Sequence, residues 1–360
     1  MSSVKKIAVI PNGTLKIKAK GLKVFVWKKN SWKKTSKELP DAMRVIGLFL
    51  AHHNFDALKD NKNPEFLKGQ LSSQGKTVGA RINVLPDNMK LSGAYSLFAK
   101  NLTIHDESSN AHWDVLYQNP GGTFSYLYNV GKIKKSVKNK YKEVIEFEKN
   151  YPKIKRNVLA ALNDKNDKFA VPMYTLLATF MRVGNEIYFK AHKHKGLTTL
   201  KKNDISINGN NVTFDYLSKG GVPLKITEKF PEIYLTRLKE ILKPLGKNSF
   251  VFINENTGHP LRDVQFKEAF KKYCGKEFYP HIVRSYYATV KAKEFLKSHK
   301  FATKKEIKSL YLSIAEKLGH KKFVKKKHAW EDSYNVTIHH YIQPELVQKI
   351  ESIEKPEFVK

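Results

Sequence analysis

Residues 180–200 read FMRVGNEIYFKAHKHKGLTTL, and this stretch sets the architecture of everything downstream of it. Apolar residues over 172–192 recur at helical spacing, which predicts an amphipathic helix with Arg182 and Glu186 set among apolar neighbours. An arginine held away from water without a partner is strongly destabilising, so something anionic is expected beside Arg182. The basic run KAHKHK then leads into Gly196.

Outward from this stretch the same texture continues. The patterns at 137–150, 156–163, 231–243, 263–273, 282–298 and 303–319 all place apolar residues at helical spacing, and a mostly helical domain is predicted over 132–360. One island interrupts it. DISIN (204–208), NVTFDYL (211–217) and VPLKIT (222–227) alternate as strands and are joined by GNN and KGG turns, so a small three-stranded sheet is expected with Lys219 at its second turn.

Residues 1–131 differ in kind. KIAVI (6–10), LKVFVW (22–27) and WDVLY (113–117) have strand character between Gly, Pro and Asn turns, one helical pattern spans 41–58, and the region closes at FSYLYNVGK (124–132). The expected class is therefore α+β, a strand-rich N-terminal domain followed by a helical domain carrying a small sheet.

Composition narrows the function. The 360 residues hold 66 Lys and Arg against 33 Asp and Glu, a formal charge of +33, with 41% apolar residues to build cores. Such an excess points to a polyanionic partner, although a genome rich in Lys and Asn codons would leave a similar mark. Cys274 is the single cysteine, which removes disulfide frameworks and Cys-based zinc sites and suits a reducing compartment. The opening MSSVKKIAVIPNG has no secretory apolar core and no run is long enough to span a membrane, so a soluble, intracellular protein is expected, in a virion, a host compartment or a bacterial cytoplasm.

Two tempting motifs fail on spacing. GQLSSQGKT (69–77) puts five residues between Gly69 and Gly75 where a nucleotide-binding loop needs four, and no apolar strand precedes it, so no nucleotide cofactor is expected. His192 and His194 lie two apart, on different faces of a helix, with no HExxH or cysteine partner, so no metal is expected. The remaining candidates are basic side chains at structured positions: Arg182, Lys219 at the hairpin turn, Arg284 in HIVRSYYAT after Pro280, His320 after EKLG, and Tyr341 in HHYIQPELV. Taken singly, each has an ordinary structural explanation: an ion pair, an exposed turn, a helix-end neighbour or a core ring.

Taken in order they are specific. FMRVGNE with KGLTTLKKNDI, FDYLSKGGV, HIVRSYYAT, AEKLGH and YIQPELV, spanning roughly 172–347, resemble the segments of type IB DNA topoisomerases that carry the first catalytic arginine, the catalytic lysine, the second arginine, the histidine and the tyrosine nucleophile. The resemblance implies the DNA breaking-rejoining fold in a C-shaped clamp, double-stranded DNA as partner, a monomer and no cofactor. It assigns Arg182, Lys219, Arg284, His320 and Tyr341 as catalytic residues, Lys195, Lys201 and Lys202 as DNA contacts, and extends back to Tyr126 and Tyr128 in FSYLYN as a DNA-contacting YxY. The spacer KKFVKKKHAWEDSYNVTIHH between His320 and Tyr341 is longer than in compact members, and Tyr334 also falls within it. IQP after Tyr341 matches the family and nothing after Tyr334 does, which favours Tyr341.

The chemistry asks for these residue types. A tyrosine that displaces a 5′-hydroxyl stores the bond energy as a phosphotyrosyl link, so resealing needs no ATP. Two guanidinium forks suit the nonbridging oxygens, a histidine adds a donor, and a lysine protonates the poor alkoxide leaving group. Two other readings remain: a tyrosine recombinase, because HIVR fits an HxxR pattern and LGH occurs in both classes, and a basic DNA-binding protein without catalysis.

Overall fold

The computed structural model describes residues 10–105 and 113–355, so most of the strand expected at 6–10 lies outside the described residues. The chain divides into two compact units, residues 1–139 and 140–360.

The first unit is strand-rich. β1 (Leu15–Ile17), β2 (Val24–Lys28) and β3 (Ser31–Lys34) form an antiparallel meander, extended on the far side of β1 by β4 (Gln70–Leu71) and β5 (Thr77–Val78). Alternation sets the buried face: Leu15, Ile17, Val24 and Val26 point inward. They meet Val45, Ile46 and Phe49 of α1 (Pro40–Ala51), whose start is fixed by Pro40 and Asp41 in the first turn. The helical pattern at 41–58 is cut short at Ala51. His53 turns into the left-handed region, the Asn54 amide donates back to the Phe49 carbonyl at 2.9 Å, and Phe55–Leu58 is a separate 3-10 turn that buries Leu58. A second sheet of β6 (Lys100–Ile104), β7 (Val115–Gln118) and β8 (Phe124–Leu127) closes the unit.

The division between units falls within α2 (Val130–Ala161), a continuous 32-residue helix where the sequence suggested two. Pro152 removes one backbone hydrogen bond and costs about 3 kcal/mol in a helix interior. The buried face nevertheless runs unbroken through it, from Tyr141, Val144 and Phe147 to Ile154 and Val158, and that packing holds the helix together.

In the second unit, α3 (Ala170–Thr179) is followed by α4 (Glu186–His192), and the helix expected over 172–192 is broken between them. Phe180 adopts a left-handed conformation that ends α3, and Asn185 caps α4 by accepting the Tyr188 amide at 2.9 Å. Arg182 therefore sits on the connecting segment and not on a helix.

The predicted three-stranded sheet is present as β9 (Ile205–Asn208), β10 (Asn211–Ser218) and β11 (Val222–Lys229). Lys219, Gly220 and Gly221 make the β10–β11 turn, with both glycines at positive φ. Helices α5 (Glu232–Leu242), α6 (Asp263–Cys274), α7 (Ile282–Ser298) and α8 (Lys304–Lys317) pack around a core that includes Phe147, Phe270 and Phe278. Within the spacer after His320, β12 (Lys321–Val324) and β13 (Ala329–Asp332) form a hairpin, followed by α9 (Asn335–His340) and α10 (Pro344–Ser352). No helix among the described residues is long and apolar enough to cross a membrane.

Candidate active site

The segment bearing Arg182 is fixed by a second segment lying against it. Leu197 N–H donates to the Arg182 carbonyl at 2.8 Å, and Thr198 donates to the Val183 carbonyl through its amide at 2.7 Å and its hydroxyl at 2.9 Å. Gly196 allows this approach, since a Cβ there would lie 2.6 Å from the Arg182 carbonyl oxygen. RVGNE and KGLTT are thus two faces of one contact.

The pinned arginine reaches Tyr341, at the C-terminal end of α9 and only 3% exposed. Arg182 Nη2 donates to the Tyr341 hydroxyl at 3.1 Å, and His281 Nε2 lies 2.9 Å from the same oxygen. The Arg284 guanidinium carbon is 5.2 Å from the Tyr341 ring centre and the His320 ring 4.7 Å from it. Tyr334 lies apart from this cluster: its ring packs against Tyr311 at 5.9 Å.

Arg284, on the first turn of α7, is 3% exposed. It donates to the carbonyls of Phe180 at 2.6 Å and Leu318 at 2.7 Å and to His320 Nε2 at 3.0 Å, while its Nε is buried without a partner among the described residues. Burial draws its guanidinium down to about 10, still charged at neutral pH. Neither Arg182 nor Arg284 pairs with a carboxylate among the described residues, so two positive charges stand together with no protein anion to compensate them.

Because a guanidinium only donates, His320 Nε2 must accept from Arg284; its proton then sits on Nδ1, directed at Thr337 Oγ1 2.8 Å away. Burial and the guanidinium groups of Arg284 and Arg182 hold His320 down to about 3, and burial with Arg284, Arg182 and Lys140 holds His281 down to about 2. Both imidazoles are neutral at physiological pH. Lys140 Nζ donates to the His340 carbonyl and lies 5.4 Å from the Tyr341 ring centre, and burial lowers it to about 8.

Above the cluster opens a cavity of about 430 Å³ whose lining includes Arg182, Lys219, Arg284, His320, Lys321 and Lys322 and no acidic residue. Lys219 is exposed at its mouth and makes no ion pair or hydrogen bond among the described residues. A second cavity of about 280 Å³ shares Arg182 and Lys219 and reaches His281. The structure thus brings together Arg182, Arg284, His320 and Tyr341, with Lys219 at the entrance.

The other expected DNA contacts are differently placed. Lys195 is bound to both carboxylate oxygens of Asp204 at 2.7 and 2.8 Å, which compensates its charge. Lys201 sits over the rings of Phe189 and Phe250, and Lys202 donates to the Leu245 carbonyl at 2.8 Å. Tyr126 and Tyr128 are exposed on the first unit, with Tyr126 edge-on to Trp113.

Three neighbours of Tyr341 escaped the reading of the sequence as site residues. His281 had a signal in its i, i+3 spacing to Arg284. Thr337, four residues before Tyr341, orients His320 from inside α9. Lys140 had none, because one lysine in a helix of lysines looks like solvated surface.

Residues 131–344 match the family of the eukaryotic DNA topoisomerase I catalytic core. A DNA topoisomerase 1B of Acanthamoeba polyphaga mimivirus is 25% identical over 223 residues, 57% of this chain and 66% of that protein, so the chain spans just under two thirds of the length of that relative. Among solved structures, the XerH site-specific recombinase bound to its difH substrate in a pre-cleavage complex is 19% identical with a TM-score of 0.32, over 48% of this chain and 46% of that one. A post-cleavage complex of XerH with a palindromic difH substrate gives a TM-score of 0.32 at 19% identity, over 48% and 45%. Since the match to the topoisomerase catalytic core takes in more than half of the chain and every side chain of the basic cluster around Tyr341, the chain belongs to the DNA topoisomerase I family, type IB.

Proposed function

We propose that this protein relaxes supercoiled duplex DNA by cutting one strand transiently through a 3′-phosphotyrosyl link to Tyr341 and resealing it, without ATP or metal. The observation that carries the reading is the pair of uncompensated guanidinium groups beside a tyrosine hydroxyl, beneath a cavity with no acidic lining. A scissile phosphodiester supplies the missing negative charge. Arg182 and Arg284 take its nonbridging oxygens, with the unpartnered Nε of Arg284 as a ready donor. When the phosphate replaces His320 as a partner of Arg284, the imidazole is freed to donate to phosphate, with its proton moved to Nε2 or a second one taken up. Lys219, free of ion pairs among the described residues at the cavity mouth, protonates the departing 5′ oxygen.

The partner is double-stranded DNA, engaged by a monomer. The test is a nicked, trapping duplex incubated with the protein in EDTA and run on a denaturing gel. A covalent band mapping to Tyr341 is expected, and no adduct on any tyrosine defeats the proposal. The recombinase reading draws on His281, which gives HIVR its HxxR spacing. Relaxation of a single plasmid without exchange between two sites decides against it, and exchange with no relaxation decides for it.

A further inference from the structure

We infer that His281 takes the Tyr341 hydroxyl proton as the tyrosine attacks and returns it when the strand is resealed. The inference rests on Tyr341 being the nucleophile, as proposed above. The Tyr341 oxygen is hydrogen-bonded by Arg182 Nη2 at 3.1 Å and His281 Nε2 at 2.9 Å, and the Arg284 guanidinium stands beside it. A guanidinium cannot accept a proton, so the imidazole nitrogen is the single acceptor in reach. Arg182 donating to the oxygen also turns the hydroxyl proton towards His281.

His281 is well placed for this. It stands at the start of α7, one turn before Arg284, so the helix that delivers the phosphate-binding guanidinium also sets the imidazole against the nucleophile. Its ring centre is 5.4 Å from that of Tyr341. The imidazole is kept neutral by burial and by Arg284, Arg182 and Lys140, with His320 adding a smaller push in the same direction; Asp263, Tyr279, His194, Lys195 and Lys219 share its cavity. A neutral imidazole is the form able to accept a proton. That low basicity belongs to a cluster in which neither Arg182 nor Arg284 pairs with a carboxylate among the described residues. A phosphodiester among them brings one negative charge and the pentacoordinate state a second, so the basicity of His281 rises as the reaction needs it.

The protons balance. In cleavage the Tyr341 O–H bond breaks and its proton goes to His281 Nε2, the tyrosine oxygen bonds to phosphorus, the P–O5′ bond breaks, and Lys219 gives its proton to O5′. The covalent state holds His281 as imidazolium and Lys219 as amine. In resealing, O5′ attacks phosphorus and returns its proton to Lys219, while the leaving tyrosine oxygen recovers its proton from His281. No outside acid, base or metal enters.

The test is single-turnover cleavage of a trapping duplex by the 360-residue chain and its variants, with duplex affinity measured in parallel to show that each variant is folded. His281→Ala should lose roughly 10²–10⁴-fold in cleavage rate while binding duplex as wild type does. Added imidazole should restore part of that rate. His281→Gln, which keeps a hydrogen-bond acceptor but is no base, should stay slow. A substrate with sulfur at the 5′ leaving position should not rescue His281→Ala, because the defect lies on the attacking side. Wild-type speed in His281→Ala or in His281→Gln overturns the inference and leaves the Tyr341 adduct untouched. Failure of imidazole rescue in a variant of native affinity overturns it as well, reducing His281 to a positioning residue. Absence of any wild-type adduct removes this inference together with the function it rests on.

Discussion

Tyr341 is nearly buried, yet its hydroxyl is the point on which Arg182 and His281 converge. Tyr341→Phe removes one oxygen from a packed ring, so it should abolish adduct formation while leaving duplex affinity close to wild type; Tyr334→Phe should retain cleavage. A trapping gel on both variants decides, and loss of the adduct in Tyr334→Phe alone overturns the assignment. In the proposed reaction Lys219 acts on the leaving side. Lys219→Ala should cleave an ordinary duplex slowly and recover on a substrate whose 5′ leaving oxygen is sulfur, since a thiolate leaves without a proton; failure to recover takes Lys219 out of the acid role. At this scale the sequence singled out residues that motif words surround, and the structure places Arg182 and Arg284 beside Tyr341, with Lys219 at the cavity mouth. The sequence was least informative where a residue acts by its place in a packed element. Thr337 and Lys140 belong to helices whose side chains meet Tyr341 only through tertiary packing, which spacing along the chain does not encode.

The segment 180–185 carries the largest departure from the sequence reading. Helical periodicity continues across it because Phe180, Met181 and Val183 are all buried, and burial alone does not distinguish a helix from a tightly packed loop. What breaks the helix is local: the left-handed Phe180, Gly184 at positive φ and the approach of Gly196. Gly196→Ala would place a Cβ 2.6 Å from the Arg182 carbonyl and 2.7 Å from the Gly184 backbone, forcing the two segments apart. A shift of the order of 1 Å in a catalytic group costs about 10²-fold. That variant should therefore cleave about a hundredfold more slowly while its urea unfolding midpoint falls modestly; an unchanged rate would show that Arg182 is not positioned by this contact. The hairpin β12–β13 was hidden for a different reason. Its lysines read as a solvated charge run, whereas Phe323 and Trp330 pair across the strands at 5.5 Å and hold them together. Lys321 and Lys322 line the larger cavity, and Lys325 and Lys326 are exposed at the tip without ion pairs among the described residues. Changing Lys325 and Lys326 to Ala should weaken duplex binding alike for every sequence and flatten the slope of log affinity against log salt by about 1–2. Cleavage at saturating duplex should not change, and an unaltered slope would place the tip away from DNA.

Across the whole chain, charge and burial act together through pH. The +33 excess favours a polyanion, but the stability of the unit 140–360 depends on two imidazoles kept neutral inside it. His281 at about 2 and His320 at about 3 lie below the 6.5 of an exposed histidine, so between those limits the unfolded chain binds protons that the folded unit refuses. Stability is therefore complete above about pH 6.5 and falls as pH drops towards 3. Each histidine costs about 1.4 kcal/mol per pH unit, up to about 4 kcal/mol for the pair at pH 5. Melting followed from pH 7.5 to 4.5 should show the unit losing stability steeply below pH 6.5, and a variant with Gln at both 281 and 320 should lose much less. Bound duplex should blunt the loss further, because a phosphate among Arg182, Arg284 and the imidazoles makes their protonation less costly. A melting temperature that is level from 7.5 to 4.5, or a double variant as acid-sensitive as wild type, would mean that these histidines are not held neutral by the guanidinium cluster. The electrostatic basis for phosphate capture at Tyr341 would then be lost.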